Sequence, residues 1–402
     1  MSLPFPVNPA LKTLPVYQPG RPIEEVAREL GLAAEDIIKL ASNENPLGPS
    51  RLAMAAMRRS LAQVNLYPDG SAYYLKQKLA SRLGLTTSQL ILGNGSNEVI
   101  ELLGHVLLPR RAQPPPEPLA EFAHAATGQP GYEAQGLTAT TVSSDPEVVV
   151  SQYCFAVYPI VTALFGARLV TVPARNYGHD LDAMLAAITG RTRIVFVANP
   201  NNPTGTSIPA EVLRRFIEAV PTSVVIALDE AYVEFLKEPL DLLPELRAGA
   251  KPNLLLMRTF SKIYGLAGLR LGYGLGHPEL IAELDKVRQP FNINSVAQTA
   301  ALAALDDSAH VEKTRRNNAR GLKLYEWAFR KLKLEFIPSA ANFILVRVGD
   351  GQRVFEELQR RGIIARPMAS YQLPEWLRIS VGTPAQNRRC LETLQAVLES
   401  PQ

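Results

Sequence analysis

The stretch Asn253–Arg270, "NLLLMRTFSKIYGLAGLR", changes character halfway along. It opens as an aliphatic run, of the kind that forms a strand buried on both faces. It then gathers Thr259, Ser261 and Lys262 and, eight positions after the lysine, Arg270 among glycines. Four more runs resemble its first half: "EVVVSQY" from Glu147, "ARLVTVP" from Ala167, "TRIVFVANP" from Thr192 and "SVVIALDEAY" from Ser223. Between them, "SNEVIELLGHVLL" and "AEVLRRFIEAV" carry helical spacing. Alternating strands and helices predict an α/β fold, with a mostly parallel sheet covered by helices.

Outside this region the pattern differs. Before Pro46 there are proline-rich turns around one helix-like stretch, "IEEVARELGLAAEDIIKL". After Gln289, long helical segments lead to "ANFILVRV", "GIIARP" and "LRISVG" and then a last helix, which predicts a smaller α+β domain. The expected division is an N-terminal arm over 1–47 that joins the small domain, a large domain over 48–289, and a C-terminal small domain over 290–402. Residues 110–146, rich in Pro, Ala, Ser and Thr, offer few large apolar groups to set against the entropy of ordering. They predict a mobile surface insert on the edge away from the site.

Polar residues collect just after the apolar runs: Asn199–Gly205, then Asp229 and Tyr232, then Thr259–Lys262. The carboxyl ends of parallel strands open onto one crevice, so these groups are expected to meet around one ligand. In "ILGNGSNEVI" a glycine turn precedes a helix starting near Ser96, where free N–H groups suit a phosphate. An isolated Gly-x-Gly is more often a plain turn. Arg270, Thr259 and Ser261 shift that balance, since they add a cation and two hydroxyls for the same anion. Asp229 ends a buried run and needs a cationic or hydrogen-bonding partner, either a structural one or a protonated ring nitrogen. A phosphate clamp, an acid for a pyridinium and a lysine for an aldehyde together describe pyridoxal 5'-phosphate.

The strings "ASNENPLG", "YPDG", "GNGSNE", "ANPNNPTG", "DEAYVEF", "RTFSKIYGLAGLRLGYG", "RQPFNINSVAQTAALAAL" and "LRISVGT", in that order, resemble the histidinol-phosphate aminotransferases. These belong to the class II pyridoxal-phosphate aminotransferases of the aspartate aminotransferase superfamily, fold type I. The resemblance runs from about Tyr17 to Arg389 and leaves out the insert. It implies that Lys262 condenses with the cofactor aldehyde and moves the substrate proton, and that Asp229 pairs with the ring nitrogen. Asn202 and Tyr232 would hold the ring's phenolic oxygen, and Phe155 would stack on the ring. The phosphate cup would be Gly95, Ser96, Asn97, Thr259, Ser261 and Arg270, joined by Tyr67 of a neighbouring subunit, so a homodimer is implied. Arg378 would hold a substrate carboxylate, and Arg366 and Tyr17 a substrate phosphate. The implied reaction moves an amino group between L-histidinol phosphate and 2-oxoglutarate. Three alternatives stay open: an aromatic amino-acid aminotransferase on the same scaffold, a decarboxylase of a phosphorylated amino acid, and a binding protein with an idle cofactor fold.

Composition narrows the remaining classes. A chain of 402 residues with 47% hydrophobic content can bury two cores. No apolar run is long enough to cross a bilayer, and the start lacks a secretory pattern, so a soluble cytoplasmic enzyme is expected. Cys154 and Cys390 fit no metal or redox spacing, and His105, His124, His179, His277 and His310 are scattered, so no metal site is expected. A net charge of +4, spread over helix-like segments, predicts small-molecule substrates rather than nucleic acid.

Overall fold

The chain is described by a computed structural model covering residue 14 and residues 20–108 and 145–400. Tyr17 and the 110–146 insert, apart from its last two residues, lie outside the described residues. In chain order the strands are β1 (Ile38–Lys39), β2 (Leu90–Gly93), β3 (Glu147–Ser151), β4 (Arg168–Val172), β5 (Thr192–Ala198), β6 (Val225–Asp229) and β7 (Leu254–Thr259). They continue with β8 (Gly272–Leu275), β9 (Phe336–Ile337), β10 (Phe343–Arg347), β11 (Ile363–Ile364), β12 (Arg366–Pro367) and β13 (Trp376–Ser380).

The aliphatic runs form a seven-stranded sheet in the order β2-β8-β7-β6-β5-β3-β4. β8 runs against both its neighbours and the other strands are parallel, as the alternating pattern predicts. Successive side chains of a strand point to opposite faces. Accordingly Val195, Val197, Ile226, Leu228, Leu254 and Leu256 enter one core, while Ile194, Phe196, Val225, Ala227, Leu255 and Met257 enter another. Helix Ala210–Ala219 covers the first core with Leu213, Phe216 and Ile217, and helix Ser96–Leu107 covers the second with Val99, Ile100 and Leu103. Each buried Leu or Ile is worth about 1.5–3 kcal/mol. That gain leaves the strand ends as the place where polar groups cost least.

Two expectations need correction. The run "ARLVTVP" predicts a strand buried on both faces, yet β4 is an edge strand with Arg168 and Thr171 exposed and Leu169 37% exposed. The helical reading of residues 23–40 also fails beyond Leu30. Gly31 takes a left-handed φ of 66° and caps the helix, and the chain goes on to β1, which pairs with β11 in parallel.

The C-terminal part builds an antiparallel sheet in the order β12-β13-β10-β9. One face, with Ile344, Val346, Leu377 and Ile379, packs on Tyr325, Phe329, Leu358 and Leu394 from three helices, and Ile38 and Leu40 of the arm join this core. The other face, with Phe343, Leu345 and Trp376, meets Tyr232, Tyr153 and Tyr177 from beside the large sheet. The packing changes later than residue 289: helix Ser295–Ala304 gives Ala297, Ala300, Ala301 and Ala304 to the large core. The insert begins beyond Leu108, after helix Ser96–Leu107, and rejoins at Pro146 before β3. Both joins lie at the end of the sheet opposite the crevice.

Candidate active site

At the carboxyl ends of β5, β6 and β7 the chain encloses one pocket, and these strand ends supply Ala198, Asp229 and Thr259 to its wall. Gly95, Ser96, Asn97, Phe155, Asn202, Tyr232, Ser261, Lys262, Arg270, Arg366 and Arg378 also line it. Of the described residues given a role by the family resemblance, only Tyr67 stands elsewhere; of the run Asn199–Gly205, Pro200 and Asn202 line the pocket. Tyr67 is 84% exposed and stacked on Phe291 with ring centroids 4.8 Å apart.

One wall is an anion cradle. Gly95, with φ 72°, precedes helix Ser96–Leu107, whose first N–H groups are free of helical partners. A Cβ on Gly95 would come within 2.5 Å of Arg270 Nη2, so the missing side chain lets the guanidinium lie against the turn. A Cβ on Gly272 would stand 2.3 Å from Ser96 N, so β8 passes directly behind the same turn only because glycine is there. The two hydroxyls differ. Thr259 Oγ1 donates to the Leu271 carbonyl at 3.2 Å and accepts from Ser261 N at 3.1 Å, which shapes the loop. Ser261 Oγ makes no hydrogen bond among the described residues and lines the pocket.

A second wall carries the acid. Asp229 is buried; Tyr158 Oη donates to its Oδ2 at 2.7 Å, and Ala231 N donates to its Oδ1 at 3.0 Å. Tyr158 is held in place by stacking on Phe196, with ring centroids 4.4 Å apart and planes 4° apart. Burial pushes the Asp229 pKa above the ordinary carboxylate value, against the pull of the Tyr158 and Ala231 hydrogen bonds and of the Lys262 charge. The expected hydrogen-bonding partner is therefore Tyr158, which nothing in "SQYCFAVYPI" distinguishes from an ordinary core aromatic. Lys262 Nζ lies 5.5 Å from the Tyr232 ring centroid and makes no hydrogen bond or ion pair among the described residues.

The third wall comes from the small domain. Arg378 Nη1 donates to Asn202 Oδ1 at 2.6 Å and Nη2 to the Ala41 carbonyl at 2.9 Å, with the guanidinium 5.1 Å from the Phe343 ring centroid. Arg366 is its direct partner on β12, so two cations face each other across the strand pair. The sequence reading missed Asn43, Ala198 and Tyr371, which also line the pocket. Asn43 stands within "ASNENPLG", where only the string as a whole was read.

The model of the family described as aminotransferase class I and II matches residues 35–112 and 119–394. The chain belongs to this family. It is a pyridoxal-phosphate-dependent transaminase of fold type I. It is 47% identical over 399 residues to a histidinol-phosphate aminotransferase of Akkermansia muciniphila, covering 99% of this chain and 100% of that protein. It is also 47% identical over 396 residues to histidinol-phosphate aminotransferase 1 of Thiobacillus denitrificans, covering 97% and 93% of the two chains. The crystal structure of the histidinol-phosphate aminotransferase of Sinorhizobium meliloti in complex with pyridoxal-5'-phosphate superposes with a TM-score of 0.81 at 28% identity, covering 98% of this chain and 97% of that one. Within the segment set apart in the sequence, the family match omits residues 113–118 and spans the rest.

The pocket fits this transaminase's cofactor on its own geometry. It offers a glycine-lined cradle beside an arginine for a phosphate and a buried carboxyl for a ring nitrogen. Tyr232 adds a buried hydroxyl whose proton has no acceptor among the described residues.

Proposed function

We infer that the transaminase moves the amino group between L-histidinol phosphate and 2-oxoglutarate, giving imidazole acetol phosphate and glutamate. The observation that carries this is the register of β12 on β13, which sets Arg366 directly opposite Arg378 at the pocket. Like charges so placed repel, and an anion between them reverses the sign. The reading assigns Arg378 to the carboxylate of glutamate or 2-oxoglutarate, and Arg366 with Tyr17 to the phosphate of histidinol phosphate. The named activity of the curated relatives supports it.

When bound, the cofactor supplies an aldehyde and a ring that accepts electrons from the substrate α-carbon. Lys262 Nζ would hold the aldehyde end and would carry the proton at that carbon. Asp229 would keep a proton on the ring nitrogen, Asn202 and Tyr232 would hold the phenolic oxygen, and Phe155 would cover the ring and exclude water. The N–H groups of Gly95, Ser96 and Asn97, with Ser261 and Arg270, bind the phosphate, while Thr259 braces the loop. We assign Tyr67 to the phosphate of a second copy of the chain. Leu61, Val64, Leu66, Tyr67, Tyr73, Tyr74 and Phe291 are exposed apolar side chains that such a homodimer would cover. A monomer in sedimentation equilibrium would remove that assignment. We place the division between the domains within helix Ser308–Lys331, which touches both cores. We place the reaction in the cytoplasm, in keeping with two free, buried cysteines.

Steady-state kinetics test the substrate. With 2-oxoglutarate as acceptor, kcat/KM for histidinol phosphate should exceed that for phenylalanine. Equal values would favour the aromatic alternative, and carbon dioxide release without glutamate would favour a decarboxylase.

A further inference from the structure

Asn43 sits in the turn after β1, 2% exposed, with a left-handed φ of 55° that asparagine tolerates better than most residues. Its environment fixes which way its amide points. Ser380 Oγ accepts from the Asn43 backbone N–H at 2.9 Å and donates its own proton to Asn43 Oδ1 at 3.0 Å. With Oδ1 so occupied, Nδ2 faces the other way and donates to Tyr232 Oη at 2.9 Å. The reversed amide would make Ser380 Oγ accept twice and would strand a buried hydroxyl proton, because Ser380 Oγ has no other partner among the described residues. Asn342 Nδ2 donates to the Asn43 carbonyl at 2.9 Å and holds the turn itself.

The consequence falls on Tyr232. A phenol can donate or accept, and here its oxygen already accepts from Asn43, so its proton is turned elsewhere. The ring cannot swing to another acceptor, because Phe343 meets it edge-on with centroids 5.5 Å apart and the residue is 3% exposed. Tyr232 lines the pocket, and among the described residues no protein group accepts its proton.

We propose that Ser380, Asn43 and Tyr232 form a relay of oriented hydrogen bonds, in which Asn43 is the positioning residue that keeps the Tyr232 hydroxyl a donor toward the pocket. The relay rests on the reading that places the cofactor's phenolic oxygen opposite Tyr232. A donor there favours the anionic oxygen, whereas a phenol turned to donate elsewhere would present only its own lone pairs and oppose it. Ser380 belongs to β13 and Asn43 to the arm, so the small-domain sheet thereby sets the polarity of a hydrogen bond made by a residue of the large domain.

The test follows the visible absorbance of the cofactor-loaded protein against pH, with pyridoxal-phosphate titration of the cofactor-free protein as a second readout. Tyr232→Phe removes the donor and should raise the pH midpoint of the absorbance change by about one unit, the size of one charge-assisted hydrogen bond. Asn43→Asp keeps the left-handed turn accessible but offers only acceptors, so it draws the Tyr232 proton to itself. It should raise the midpoint by a comparable amount and weaken cofactor binding several-fold, yet add nothing in the Tyr232→Phe background. Ser380→Ala frees the amide to turn, and should give a smaller rise that also vanishes in that background. This second pair carries the same comparison if Asn43→Asp does not fold.

An Asn43→Asp rise that persists without the Tyr232 hydroxyl would mean that the new charge acts directly, and would overturn the relay. A midpoint moved by Tyr232→Phe but not by Asn43→Asp or Ser380→Ala would overturn the relay alone. A midpoint unmoved by Tyr232→Phe would overturn the placing of the phenol, and the relay with it.

Discussion

Asp229 and Glu147 are both carboxylates buried in the same sheet, 6% and 1% exposed, at opposite ends of its strands. Glu147, at the start of β3, is fully used. Arg191 donates to its Oε1 from Nε at 2.9 Å and from Nη2 at 2.7 Å, Arg168 Nη1 donates at 3.1 Å, and Thr189 Oγ1 donates to Oε2 at 2.5 Å. Burial alone would raise its pKa, but the Thr189 and Arg191 hydrogen bonds and the two arginine charges carry it below the ordinary value. Asp229, at the end of β6, receives one phenol and one backbone N–H and makes no ion pair among the described residues, so burial outweighs these bonds and the Lys262 charge and its pKa rises. A buried carboxylate ringed by cations and donors is held charged by the fold. One with two neutral donors and no ion pair among the described residues keeps a raised pKa instead.

Removing groups at the crevice end should therefore damage chemistry, and the largest loss belongs to Lys262. Lys262→Ala should lower turnover by ~10⁴-fold, the upper range for a positioned acid–base group, and abolish the visible absorbance of the lysine-bound cofactor while the protein stays folded. An active variant would end its assignment. Asp229→Asn keeps the shape and removes the charge. It should lower kcat by ~10²–10³-fold, in line with about 3–4 kcal/mol for one member of a buried charge pair. A kcat within threefold, roughly 0.7 kcal/mol, would mean that the ring nitrogen finds its partner elsewhere.

Smaller and more selective is Arg366→Gln. It removes one cation of the opposed pair on β12 and β13, and should raise KM for histidinol phosphate by ~30-fold, about 2 kcal/mol for a charge-assisted contact to phosphate. The KM for glutamate should rise much less, since Arg378 keeps its partners Asn202 and Ala41. Equal losses for both substrates would show that Arg366 supports the sheet rather than the phosphate.

How legible this was in the sequence follows from the same contrast. β3, β5, β6 and β7 were readable because strands buried on both faces leave unbroken aliphatic runs, and the site was readable because its polar groups interrupt those runs at their ends. β4 has the same kind of run, "ARLVTVP", but its edge position is a property of the sheet and leaves no local mark. Tyr158 and Asn43 were missed for a related reason. Their roles depend on partners 71 and 189 residues away, and neither residue type is unusual where it stands. Gly31 was visible as a glycine, but the apolar spacing on both sides of it suggested one continuous helix.

The finest discrimination between the two ends is the sign of their pH dependence. For Glu147 the folded pKa is depressed, so its stabilisation is fully present above the ordinary glutamate value and is lost as pH falls through the folded one. For Asp229 the folded pKa is raised. Between the ordinary and the raised values the folded chain holds a proton that the unfolded chain has released, so stability falls as pH rises across that window. In urea unfolding of the cofactor-free protein, Glu147→Gln should cost about 1 kcal/mol at pH 7. It should cost no more than that, because Arg168 and Arg191 stay partly exposed, and the loss should shrink toward pH 4. Asp229→Asn should instead gain on the wild type as pH rises, because it removes a charge that the fold holds at a cost. The two differences should thus run in opposite directions along one pH axis. Parallel curves would mean that the partners of a buried carboxylate do not separate its structural use from its chemical one in this sheet.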